Sequence, residues 1–173
     1  MSRVVKEVFI SPKLRISSVL FRPFTSSTGV AALAVRLVVG YGFIQHGFAK
    51  VLNGPDLFAA NLSGLGVPAP EVMSWITISS ELTCGLAVLV GALIPLTSIP
   101  MAIILIVAML YVHLPYGFSS IKLQAVTPEG IKFGPPGYEV ILLYLVCILT
   151  LTVLGAGPLS VDSWLTKRLS QPK

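Results

Sequence analysis

The chain has 173 residues, 54% of them hydrophobic and only 11% charged, with a mean hydropathy of +0.88. A soluble domain carries about 25% charged residues, so a soluble globule is excluded, and a disordered chain would need low hydrophobicity and high charge; an integral membrane protein remains. The net charge of +5 does not point to nucleic acid, because the basic residues cluster toward the chain ends, a pattern of membrane orientation.

Residues 1–29 form a basic amino-terminal segment with Arg3, Lys6, Lys13, Arg15 and Arg22 set among bulky apolar residues. It is expected either to lie along an anionic inner leaflet or to hang free as a basic tail. It has no sustained apolar run ending in a small-residue cleavage site, so no cleavable signal peptide is read. The membrane domain follows over 30–157. Four stretches there are apolar enough to cross hydrocarbon, which takes roughly 20 helical residues: Val30–Phe48, Val72–Ile94, Ile99–Leu114 and Tyr138–Leu154. The fold class is therefore an all-α integral membrane protein, with an outer β-hairpin between helices 3 and 4. A transmembrane barrel is disfavoured because the runs lack two-residue alternation.

Between the first two spans, residues 49–71 are rich in Gly and Pro, with a short interfacial helix expected around Leu57–Leu62. PLTSIP is read as the tight connection of spans two and three, punctuated by Pro95 and Pro100. After span three, IKLQAV and IKFG flank TPEG and read as a β-hairpin, expected to cover the outer end of the bundle as a lid. The last residues, 158–173, form a tail with Lys167, Arg168 and Lys173. With four spans the termini share a side that holds eight Lys or Arg residues against Lys50, Lys122 and Lys132 opposite, so both termini are expected in the cytoplasm. The lipid bilayer is the first partner implied, and a homo-oligomer is compatible with the small-residue helix faces.

An ionisable group inside a span costs about 2.5 kcal/mol or more unless paired or hydrated, and is a default pointer to function. Arg36 and Lys50, 14 residues apart, share a face of span one with Gly40, Phe43 and Gly47. The two glycines on this face would let a neighbouring helix approach closely. Glu81 lies about 13 Å below the start of span two and Arg36 about 18 Å below the end of span one at 1.5 Å per residue. That arithmetic makes Arg36–Glu81 the expected ion pair, serving either function or helix register. At the outer level His46 and Lys50 end span one, His113 ends span three and Glu139 opens span four. They are expected to converge on a small-molecule cavity, with Tyr111, Tyr116 and Tyr138 adding hydroxyls or flat faces. Lys50 has the alternative of snorkelling to the interface, and Glu139 of complementing a helix dipole. Asp162 reads as a helix cap more than a proton carrier.

Several motifs also match a known family. GYGFIQHGFAKVLNG, LGVPAPE, SELTCGLAVLVGALIPLTSIP, VHLPYGF, GPPGYE and GAGPLSVD, in that order over roughly residues 30–163, resemble the DoxX family of small bacterial membrane proteins. The resemblance implies an antiparallel four-transmembrane-helix bundle in the bacterial cytoplasmic (inner) membrane. It carries family positions onto Arg36, His46, Gly47, Lys50, Glu81, His113, Gly137, Tyr138, Glu139, Ser160 and Asp162. Some members resemble a membrane subunit of a thiosulfate:quinone oxidoreductase, and others are associated with oxidative or quinone stress, so fold alone does not set the activity.

With that resemblance, the leading expectation is a site for a quinone or similar lipid-soluble redox molecule. Histidine and Lys or Arg would donate to its oxygens, and a carboxylate would relay protons. The chain shows no flavin or nicotinamide fingerprint and no cysteine cluster for an iron–sulfur centre, so electrons would come from a redox partner subunit. The alternative is a non-catalytic accessory or assembly subunit. Haem b held by His46 and His113, a metal held by those histidines with Glu139, and a transporter are weaker readings. Cys84 and Cys147 read as small hydrophobes.

Overall fold

A computed structural model describes residues 28–169 of the chain. The expectations for the amino-terminal basic segment fall almost wholly outside that range. Among the described residues, six α-helices and one two-stranded sheet are arranged as α1 (Thr28–Asn53), α2 (Pro55–Gly64), α3 (Pro70–Val90), α4 (Ile94–Ala108), β1 (Leu123–Thr127), β2 (Gly130–Phe133), α5 (Glu139–Leu154) and α6 (Val161–Leu169). Helix α4 runs on through a π turn at Met109–His113 and a 3-10 turn at Leu114–Tyr116.

Among the described residues three helices are long and apolar enough to cross a membrane: Gly29–Asn53, Pro70–Val90 and Ile94–Tyr116. Helix α5 is equally apolar but has 16 residues, about 24 Å of rise against roughly 30 Å of hydrocarbon. The four long helices pack in the cyclic order α1, α3, α4, α5 and back to α1. The core between them is built from Val39, Phe43, Val88, Ile94, Met101, Ile148 and Leu151, with the free thiols of Cys84 and Cys147 packed against it.

The tightest seam is α1 against α3, and glycine makes it. A Cβ on Gly40 would lie 2.7 Å from the Gly85 carbonyl oxygen and 2.8 Å from the Leu89 nitrogen, so backbone meets backbone. To either side of this contact the same seam sets Gly47 beside Glu81 and Leu82, and Gly91 beside Arg36. As α1 climbs toward Asn53, its α3 partner therefore moves back toward Pro70.

The connection of α3 and α4 differs from the expected one. The chain turns at Gly91–Leu93, and PLTSIP lies inside α4. Gly91 takes φ +72°, and the Ala92 N–H closes the helix end onto the Ala87 carbonyl at 2.8 Å. Pro95 sits in the first helical turn, where a missing N–H breaks no intrahelical bond. Pro100 lies deeper and removes one bond, which membrane helices tolerate. At the other end of the bundle, α2 forms where a short helix was expected, and Ser74 Oγ donates to the Pro55 carbonyl at 2.9 Å, fixing α2 onto α3.

The β-hairpin forms as read. β1 and β2 are antiparallel, pairing Leu123 with Phe133, Val126 with Ile131 and Thr127 with Gly130, with an irregularity between Leu123 and Ala125.

Candidate functional site

The geometry of the α1–α3 seam decides which charges meet. Glu81 faces Gly47 across the seam, one turn from Lys50, whereas Arg36 faces Gly91. Ten residues separate Glu81 from Gly91, about 15 Å of helix. The expected Arg36–Glu81 pair therefore does not form. The depth estimate erred because α1 continues to Asn53 and α3 begins at Pro70, which slides the two helices past the assumed register.

Glu81 is paired instead with Lys50. Lys50 Nζ lies 2.8 Å from Oε1 and 2.7 Å from Oε2 of Glu81 and donates more weakly to the His46 carbonyl at 3.4 Å. The side chains are 21% and 6% exposed, so the carboxylate is the more deeply buried partner. The Phe58 ring of α2 lies 5.1 Å from the ammonium and covers it. Lys50 thus turns inward instead of snorkelling, and the cover over this point is α2.

The pair opens onto a cavity of about 190 Å³ among all four long helices. Phe43, His46 and Lys50 line it from α1 and Glu81 from α3. Ile104, Leu105, Ala108 and His113 come from α4 and its extension, and Val140, Ile141 and Tyr144 from α5. Four of the six principal candidates, His46, Lys50, Glu81 and His113, therefore share one mostly aliphatic chamber. His46 is exposed at its rim.

His113 reaches the chamber from the end of the π turn, a wider helical turn that often marks functional positions. Its Nδ1 lies 2.9 Å from the Pro136 carbonyl oxygen. A carbonyl only accepts, so Nδ1 carries a proton and Nε2 is left as the ring's second polar atom. In the neutral ring Nε2 accepts; in the imidazolium it donates.

Glu139 does not join the chamber. Its Oε2 accepts from the Ser120 N–H at 3.0 Å, while its own N–H donates to the Phe118 carbonyl at 2.9 Å. Together with Gly137 N–H to Ser119 and Tyr138 N–H to Gly117, these bonds clamp the base of the loop between α4 and α5. A Cβ on Gly137 would overlap the Gly117 carbonyl, which is why the clamp uses glycine. Tyr138 stacks edge-on against Phe118 at 5.7 Å. Tyr111 and Tyr116 are exposed and do not line the cavity. The hairpin is no lid: its strand residues are almost all exposed and none lines the cavity. With Glu139 tied to the loop, the His46–His113–Glu139 metal reading loses its carboxylate. No group of three or more His, Cys, Asp or Glu suited to a metal occurs among the described residues.

Reasoning from sequence missed Tyr144 and Phe58. Tyr144 packs against Phe43 at 5.9 Å, and its hydroxyl occupies the space a Cβ on Gly42 would need. Its spacing from Val140 and Ile141 places all three on one helix face.

Arg36 and Asp162 belong to a second constellation, at the end of the bundle where α1 begins and α3 turns into α4. Arg36 is 2% exposed. Nη1 donates to the Ala156 carbonyl at 2.5 Å and Nη2 to the Leu159 carbonyl at 2.7 Å. Asp162 does act as a cap, but of α4: Oδ1 accepts from the Leu93 N–H at 2.8 Å and Oδ2 from the Ile94 N–H at 3.4 Å. Leu93 has φ +53°, a left-handed conformation costly for a side chain with a Cβ, and Asp162 holds it there. Arg36 and Asp162 thus fasten the segment after α5 across the bundle end. Ser160 takes part, its Oγ accepting from the Ser163 N–H at 3.1 Å.

Apolar membrane-length helices packed around a buried ion pair define an integral membrane protein of the helical class. Residues 31–114 match the family model described as DoxX, and the resemblance drawn from the motifs is borne out over that range. The match includes Arg36, His46, Lys50, Glu81 and His113. The chain is similar to an uncharacterized protein of Haemophilus influenzae, 26% identical over 144 residues covering 81% of this chain and 86% of the relative. It is also similar to an uncharacterized membrane protein of Mycobacterium tuberculosis, 26% identical over 145 residues covering 80% and 83%. No solved structure matches.

Proposed function

We propose that the chamber between α1, α3, α4 and α5 binds the headgroup of a quinone or a similar lipid-soluble redox molecule. The observation that carries this reading is the meeting of the Lys50–Glu81 pair with His46 and His113 on one aliphatic cavity. A quinone ring is flat and apolar on its faces and has an acceptor oxygen at each end. The aliphatic walls and the rings of Phe43 and Tyr144 suit the faces, and Lys50, His46 and, as the imidazolium, His113 suit the oxygens. Reduction of a quinone takes up two electrons and two protons. Lys50, and His113 as the imidazolium, can donate hydrogen bonds or protons; Glu81, ionised in its pair with Lys50, only accepts and holds the ammonium in place, so the protons given up are replaced from water at the exposed His46 rim. Electrons would be supplied by a redox partner subunit, so the chain is at most one component of a quinone-linked oxidoreductase.

In this reading α5 is a fourth crossing, the bundle lies in a bacterial inner membrane, and both termini face the cytoplasm. The basic ends of the chain and the bacterial relatives support that orientation and location. Haem b fits the chamber less well, because about 190 Å³ lies below even the ~300 Å³ lower range for drug-sized ligands and a porphyrin is a large one.

The test is titration of the purified full chain in lipid nanodiscs with a short-tailed ubiquinone and a menaquinone, read by tryptophan quenching. Saturable binding, weakened at least tenfold in Lys50→Met and His113→Ala but unchanged in Tyr111→Phe, supports the proposal. Absence of saturable binding for both quinones would favour the accessory-subunit reading.

A further inference from the structure

The chamber does not use the hairpin. Its registry sorts its side chains by face. Val126 opposes Ile131 and Leu123 opposes Phe133, while Ile131 and Phe133 are two residues apart on one strand. These four apolar side chains therefore share a face. Lys132, opposite Ala125, points the other way. The apolar four are between 59% and 72% exposed.

An isolated two-stranded hairpin is marginal in water unless an apolar face is covered, and this one is well formed with its apolar face bare. Four side chains offer far less than the roughly 800 Å² per partner that a stable protein interface buries. Continuity also favours a lipid occupant: Leu114, Tyr116, Phe118 and Ile121 form an exposed apolar path from the membrane-length helix α4 to β1. Depth is bounded from the other side. The outer edges of two strands carry unpaired backbone groups, and open edges do not enter the hydrocarbon.

We infer that the hairpin is a membrane-interface anchor: it lies on the outer leaflet with Leu123, Val126, Ile131 and Phe133 among the upper acyl carbons. Its backbone rests at the headgroups, and Lys132 faces the water and lipid phosphates. The anchor is independent of what the chamber binds.

The experiment uses the full chain in phosphatidylethanolamine–phosphatidylglycerol vesicles, with Cys84 and Cys147 replaced by Ala and a nitroxide on one new cysteine at a time. The ratio of collision rates with oxygen and with a water-soluble nickel chelate should be several-fold higher for labels at Ile131→Cys and Val126→Cys than at Lys132→Cys. Equal ratios at all three positions would overturn the proposal. So would labels at 126 and 131 shielded from both reagents with a short spin–spin distance between copies, since a second chain would then cover the face. The unsubstituted protein gives an independent reading. A lipid-borne carbene probe placed just below the headgroups should label the peptide containing residues 121–133, and absence of adducts there would equally overturn the anchor.

Discussion

Removing Lys50 should cost much more than removing its partner, and removing both should cost little. Glu81 is the buried member of the pair, with a side chain 6% exposed and Lys50 as its hydrogen-bond partner. Lys50→Met strands a carboxylate in an apolar chamber, a loss of about 3–5 kcal/mol when one partner of a buried pair is deleted. Lys50 is 21% exposed, so water reaches part of the site and the lower end, about 3 kcal/mol, is expected. Glu81→Met leaves an ammonium that still has the His46 carbonyl and the Phe58 ring, and a long stem with which to reach water. Its cost should be about 1.5 kcal/mol, the low end for a charged hydrogen bond, because the ammonium keeps its other partners. The double variant replaces the pair by apolar side chains of similar length and should fall within about 1 kcal/mol of the parent. Reversible unfolding of the four proteins in mixed micelles, followed by helical circular dichroism, measures the cycle. Additive single costs, or a Lys50→Met protein as stable as the parent, would refute the argument that Glu81 depends on Lys50.

Arg36→Met removes both donors from the Ala156 and Leu159 carbonyls, and at roughly 1.5–3 kcal/mol per charged hydrogen bond the segment after α5 should become cleavable by protease well before the helices unfold. Leu93→Gly should raise stability by about 1 kcal/mol, because the strained φ +53° is natural to glycine and the Leu93 side chain is exposed, whereas Asp162→Ala should lower it by about 1–2 kcal/mol through loss of the α4 cap; thermal unfolding in detergent compares them. Gly40→Ala forces a methyl against the Gly85 carbonyl and should destabilise by about 1–3 kcal/mol, with the Lys50–Glu81 pair disturbed as the seam widens. Nitrogen NMR of labelled histidine should find the neutral His113 ring protonated on Nδ1, and an Nε2–H tautomer would contradict the Pro136 contact.

Much of the architecture was legible because membrane hydropathy is a strong signal. The apolar runs gave the long helices, the TPEG turn gave the hairpin and the Gly40–Gly47 spacing gave the close seam. The site was legible in membership but not in pairing. Charge inside apolar helices marks His46, Lys50, Glu81 and His113, but pairing by depth needs both helix ends to within a turn, and so it sets Arg36 against Glu81 instead of Lys50. Hydropathy does not supply that precision: α1 runs five residues past Phe48 through polar Lys50 and Asn53. Pro95 and Pro100 misplaced the α3–α4 turn because proline breaks a soluble helix more reliably than a membrane one. Glu139 was drawn to the chamber by its level, but its carboxylate was claimed by the Ser120 N–H, a contact made by loop geometry that no periodicity encodes. The π turn that delivers His113 likewise leaves no pattern beyond the following Pro115.

The central claim is that the chamber is the quinone site, and photo-crosslinking tests it most directly. An azido-quinone should label the purified protein in nanodiscs on peptides containing Phe43–Lys50, Ile104–His113 and Val140–Tyr144, and excess unlabelled quinone should abolish the adducts. Adducts confined to lipid-facing positions such as Val146 and Val153, undiminished by competitor, would contradict it.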